Sequence, residues 1–168
     1  MYLSSANTVN ENQKTMEEAP RFSKLLRLAP QFDLLHPESS ARANAEKVVS
    51  AGFERAFAAK LESFMPALLS MHCVGKLSGV AGVCLAGNQP LFLEQYLDAP
   101  IESVLQKQSI QAINRESIVE VGNLVAANNG ASLAVFIVLA SSLERAGFSH
   151  MVFTTTNCLT KKFSRLGF

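Results

Sequence analysis

What this chain lacks narrows its function before any motif is read. It has no excess of either charge: 15 Lys and Arg face 14 Asp and Glu, a formal net charge of +1. No basic stripe interleaved with aromatics runs along it. That argues against nucleic acid as the main partner, because neutralising phosphates needs clustered cations. Cysteines are few, and Cys73, Cys84 and Cys158 form no CxxC or Cys/His ligand spacing. Buried thiols in a reducing compartment are expected, hence a cytoplasmic location. The histidines His36, His72 and His150 are far apart, and no metal site is expected. No apolar run reaches the ~18 residues of a transmembrane helix. The longest, "ASLAVFIVLA" from Ala131 to Ala140, suits a buried core helix. The opening "MYLSSANTVNENQKTMEEAP" lacks a basic start and an apolar h-region, so no signal peptide is expected.

What is present suits a folded domain. The 168 residues are 48% hydrophobic and 17% charged, enough apolar material for one sizeable core. Residues 1–20 are polar and pattern-free and are expected to form a disordered tail, leaving 21–168 as a single domain. "FDLLHP" reads as a strand closed by Pro37. Ser39 or Ser40 is positioned to cap a helix in which Ala45, Val48, Val49, Phe53, Phe57 and Leu61 recur at helical spacing, to about Phe64. Two strands are expected around "GKLSG", with Gly75 and Gly79 easing the turn. "GKLS" lacks the upstream glycine spacing of a P-loop. "LFLEQYL" and "PIESVLQK" read as short helical pieces. Strands follow at Arg115 to Val125 and at "HMVFTTT", with a helix from Ala131 to Ala146 between them, stopped by Gly147. Asn157 is a natural cap for a last helix. The order β-α-β-β-(α)-β-α-β-α predicts an α/β (α+β) fold with a mixed sheet.

The most informative stretch is "IVEVGNLVAANNGAS", Ile118 to Ser132. Alternation along a strand puts Ile118, Glu120, Gly122 and Leu124 on one face and Val119, Val121, Asn123 and Val125 on the other. Glu120 then lies beside the gap left by Gly122. A carboxylate among apolar neighbours has its pKa pushed up, the profile of a general base near neutral pH. The bland alternative is that Glu120 meets Arg115 or a solvent edge. After the strand, a loop of small residues feeds a helix N-terminus, where free N–H groups and the helix dipole attract phosphate. Gly130 and Ala131 offer little side chain to keep a diphosphate from the backbone.

"FMPALL", "LFLEQYLDAPIE", "VEVGNLVA" and "FTTTNCLTKKFSRLGF" closely resemble the thermostable hemolysin family over about Phe32 to Phe168. That family in turn resembles the GNAT acyltransferases and the acyl-homoserine-lactone synthases. The resemblance implies a GNAT-like, mainly antiparallel twisted sheet flanked by helices, with acyl-coenzyme A as acyl donor. It implies that the backbone of Leu124, Val125 and Ala126 pairs with the pantetheine arm. Asn129, Gly130, Ala131 and Ser132 would hold the diphosphate through their N–H groups, and Asn157 would contact the cofactor. Glu120 falls where many members keep a base. The pattern departs in three places. Ala127 stands where Arg or Gln is usual, Phe163 stands at the position of a thiolate-protonating tyrosine, and the chain stops at Phe168, where the fold usually adds strands.

The resulting expectation is a cytoplasmic N-acyltransferase-like protein that moves an acyl group from acyl-coenzyme A, or from an acyl-carrier protein, to a small-molecule amine. Glu94, Asp98 and Glu102 are candidates for recognising a cationic acceptor. Two alternatives come from other classes. One is a membrane-perturbing hemolysin, for which only the Lys161, Lys162 and Arg165 cluster offers cations. The other is a non-catalytic acyl-coenzyme A-binding relative of the same fold.

Overall fold

The computed structural model describes residues 2–5 and 29–154. The elements run β1 (Tyr2–Ser5), β2 (Gln31–Leu35), α1 (Arg42–Phe57), β3 (Ala67–Cys73) and β4 (Lys76–Leu85). A 3-10 helix (Phe92–Tyr96) and α2 (Ile101–Gln106) follow. Then come a 3-10 turn (Arg115–Ser117), β5 (Ile118–Ala126), α3 (Asn129–Arg145) and β6 (His150–Phe153). The hydrogen-bonded strand order is β1-β6-β5-β4-β3-β2. The β1–β6, β2–β3 and β3–β4 ladders are antiparallel and β5–β6 is parallel. The fold is therefore mixed α/β and mainly antiparallel, as expected. A parallel pair needs a crossover connection, and α3 supplies it.

The chain divides into two compact units, one of residues 1–15, 84–121 and 140–168, the other of 16–83 and 122–139. In the first, Ile118, Val119 and Val152 are fully buried where β5 and β6 pair, and Leu93 and Ile101 seal the segment before β5. In the second, Ala45 and Val49 of α1 pack with Leu35, Leu68 and Val80, and Phe53 and Leu61 lie against that cluster.

Several local expectations need correction. The first 20 residues are not wholly without structure, because Tyr2–Ser5 pair with β6 from Tyr2↔Phe153 to Ser5↔His150. That ladder occupies one edge of β6. Neither Ser39 nor Ser40 caps α1. The cap position is Ala41, with no side-chain bond, and the Ser39 hydroxyl instead accepts the His36 N–H at 2.9 Å. α1 also ends seven residues early, at Phe57. There Ala58 turns left-handed at φ +50° and gives its N–H to Glu54 O. Leu61 kept the helical spacing by coincidence, reaching the core from an irregular segment. In the hairpin, the turn is Val74–Gly75, both at positive φ, as a two-residue mirror-image turn requires. Gly79 lies within β4. The expected strand from Arg115 begins only at Ile118, after a 3-10 turn capped by the Asn114 side chain.

Candidate functional site

β5 changes character halfway. Ile118 to Val121 are all buried, whereas Gly122 to Ala126 are half-buried. The change coincides with Asn123, whose φ of +50° is left-handed. Asn tolerates that region because its short polar side chain finds a local partner. Here Oδ1 accepts the Met65 N–H at 2.8 Å. The kink interrupts the period of two, so the face shared by Ile118 and Glu120 does not extend in strict alternation to Leu124. The gap expected beside Gly122 is filled. A β-carbon on Gly122 would lie 2.6 Å from Met65 Cε, and one on Gly82 would lie 2.6 Å from Met65 Cγ.

The backbone around Met65 is held from the other side by Arg42, which is 7% exposed. Its guanidinium donates to Met65 O at 2.7 Å, Pro66 O at 2.8 Å and Leu35 O at 3.2 Å, and pairs with Glu46 at 2.8 Å. A buried cation is tolerated when its donors are matched in this way.

Past the kink, the β5–β6 ladder has already ended at Val121↔Phe153. Leu124, Val125 and Ala126 continue the strand without a β6 partner among the described residues. Ala127 then donates its N–H to Ser78 O at 2.9 Å. Asn128 caps α3: its Oδ1 accepts the Ala131 N–H at 3.0 Å and its carbonyl accepts the Ser132 N–H at 3.1 Å. Of the four N–H groups proposed for an anion, those of Ala131 and Ser132 are thus already engaged. Gly130 and Ala131 are buried, while Ala127 and Asn128 are exposed. Further along α3, Val135 and Phe136 are almost wholly buried, which fixes the helix firmly.

Glu120 is 1% exposed. Its carboxylate accepts the N–H of Phe92 at 2.7 Å and of Leu93 at 2.9 Å, one on each oxygen. Burial raises its pKa, and the two amide bonds oppose the rise. Arg115, the partner considered from sequence, goes elsewhere. Its Nη1 reaches Glu94 at 2.6 Å and Glu102 at 2.7 Å, and its Nε donates to Ala86 O at 2.9 Å. The Arg115 hydrogen bonds pull the Glu94 carboxyl down to about 2, with the Ile101 and Leu91 N–H groups helping. Glu94 and Glu102 are therefore neutralised within the fold and are not free to read a cationic acceptor. Only Asp98 of that trio stays exposed without such a partner among the described residues. Asn157, Phe163 and the Lys161, Lys162 and Arg165 cluster lie outside the described residues.

Sequence reasoning missed Asn123, Asn128, Met65 and Arg42. An Asn directly after a strand glycine was a visible sign of left-handed backbone, and Asn128 is a standard cap residue. Nothing local marked Met65 or Arg42, whose partners are distant in sequence. Among the described residues no group of three or more His, Cys, Asp or Glu could hold a metal ion. Nor is any described helix long and apolar enough to cross a membrane.

Solved structures that share this architecture include the following two. One is the C-terminal domain of a putative lysylphosphatidylglycerol synthetase from Agrobacterium fabrum, with a TM-score of 0.56 at 12% identity over 98% of this chain. The other is L-PGS from Bacillus licheniformis, with a TM-score of 0.54 at 10% identity over 92% of this chain. The chain spans about half the length of each, 48% in both cases. At such identities the likeness establishes the fold, which is GNAT-like. Comparison with curated proteins gives no match. The profile of the thermostable hemolysin family matches residues 35–168, and the chain belongs to that family.

Proposed function

We propose that this protein is an acyltransferase that takes an acyl group from a coenzyme A or acyl-carrier thioester and passes it to a small-molecule amine. The observation that carries the reading is the kink at Asn123. It precedes three strand residues, Leu124 to Ala126, whose backbone has no β6 partner among the described residues, and these lead directly to the N-terminus of a 17-residue helix. Such an edge can pair with the amides of a pantetheine arm, and a helix N-terminus favours a diphosphate. The fit carries one condition. The Asn128 side chain must yield the Ala131 N–H to the anion, leaving Asn129, Gly130 and Ala131 as donors. Asn157 would add its contact from beyond the described residues.

In the transfer, the amine nitrogen forms a bond to the thioester carbonyl carbon, the carbon–sulfur bond breaks, and the thiolate takes a proton from water. The amine's proton needs a base. Glu120 is 1% exposed and already accepts the Phe92 and Leu93 N–H groups, so its arrangement favours holding the Phe92–Tyr96 helix in place, and the amine's proton passes to water. The names of the fold relatives point the same way chemically, since a lysyl group on phosphatidylglycerol is itself an acyl group placed on an acceptor.

Calorimetric titration with acetyl-coenzyme A tests the reading. Binding is expected, and Asn128→Ala should tighten it by freeing the Ala131 N–H. A folded protein that gives no heat would refute the proposal. Binding without turnover on any amine would identify the non-catalytic relative, and dye release from liposomes at equal protein concentration would favour the lytic alternative. Glu120→Gln in a folded sample separates base from anchor. A base predicts lost turnover with intact binding.

A further inference from the structure

Met65 is fixed at its backbone, and its half-buried side chain packs against the core cluster of Leu35, Ala45, Val49, Leu68 and Val80. Its N–H is held by Asn123 Oδ1 at 2.8 Å and its carbonyl by Arg42 at 2.7 Å, so the Cα cannot drift. The unbranched thioether then lies where side chains of residues 82 and 122 would otherwise stand, with Cγ and Cε each 2.6 Å from a β-carbon built there. Met has three rotatable bonds and a soft, apolar chain, so it vacates such a place more easily than a branched residue. The residue is half-buried, so one side of it borders solvent.

Chain order says what would replace it. With a diphosphate at the start of α3 and a pantetheine arm running back along Ala126 to Leu124, the thioester end arrives at Asn123 and Gly122. That is where the Met65 side chain rests. We infer that Met65 is the residue that sets acyl-chain length: its side chain occupies the acyl subsite over Gly82 and Gly122 and swings out to admit a short, unbranched acyl chain. The occupant fits because the slot already holds an unbranched aliphatic chain, and because a methyl on either glycine would collide with it. This rests on the acyl-transfer reading above.

The test is calorimetric titration of the full chain with coenzyme A, acetyl-, butyryl- and hexanoyl-coenzyme A, read as each thioester's affinity relative to coenzyme A. Met65→Ala removes Cγ, Sδ and Cε and should raise the hexanoyl-to-acetyl ratio about tenfold, the scale on which a pocket discriminates methylenes. Gly122→Ala should lower the same ratio. Met65→Leu, similar in volume but branched, serves as the folded variant with the slot still filled and should lower the ratio, because it vacates the slot less easily. An unchanged ratio in folded Met65→Ala overturns the inference while leaving the acyl-transfer reading intact. No binding of any probe by wild-type protein overturns both.

Discussion

The two halves of β5 use polar groups to opposite ends. In Ile118–Val121 the strand is straight, buried and laddered to β6, and Glu120 spends both carboxylate oxygens on the amides of Phe92 and Leu93. In Gly122–Ala126 it is half-buried and kinked, and Asn123 spends its oxygen on a single amide, that of Met65. One half is an anchor, whose polar group is costly to disturb. The other is a bend, whose polar group sets backbone direction while leaving the strand beyond it without a β6 partner. Within one strand, then, a buried acid serves as an anchor, and a half-buried amide sets the direction of the backbone.

Disrupting the anchor should have the largest effect. Glu120→Ala leaves the buried Leu93 N–H and the part-buried Phe92 N–H without an acceptor and opens a cavity, a loss of about 3 kcal/mol in urea unfolding. Glu120→Gln retains one acceptor for two donors and should cost about 2 kcal/mol. If Glu120→Gln unfolded at the wild-type urea midpoint, the anchor role would be refuted. The bend should respond less and differently. Asn123→Gly keeps the left-handed backbone and loses only the bond to Met65, about 1 kcal/mol. Asn123→Ala loses both and should cost about 2 kcal/mol. Equal losses for Gly and Ala would mean that the backbone conformation at 123 carries no strain.

How much of this could be read from the residues follows from what each signal depends on. Element types were legible wherever hydrophobic period and turn chemistry agreed, as in β3, β4 and α3. The burial of Glu120 was legible because its neighbours are valines and an isoleucine. Its partners were not, since the Phe92 and Leu93 amides lie 28 and 27 residues away and backbone donors leave no trace in side-chain identity. Arg115 misled for the opposite reason. It is near Glu120 in sequence, yet Glu94 and Glu102 are the carboxylates it meets. The α1 boundary failed because Ala58 adopts a left-handed conformation that alanine does not advertise. The space beside Gly122 was foreseen. Its filling by Met65 needed the third dimension.

The finest division between anchoring carboxylates is in their pH dependence. Glu94 is depressed from the ordinary 4.5 to about 2 by Arg115, so its contribution is complete above pH 4.5 and drains away as pH falls toward 2. Glu120 is raised by burial, so its protonation linkage has the opposite sign: the stability it lends is full below pH 4.5 and is lost as pH rises through its folded pKa. Urea midpoints measured from pH 7 down to pH 2 should therefore separate the two. Glu94→Gln should lack much of the wild-type fall below pH 4.5, an effect of about 1 kcal/mol or less because Arg115 keeps Glu102. Glu120→Gln should lack any gain on acidification from neutral pH to 4.5, and keep the fall below it. If both variants followed the wild-type profile, the pairing of Glu94 with Arg115 and the burial of Glu120 would carry no linkage between protonation and folding.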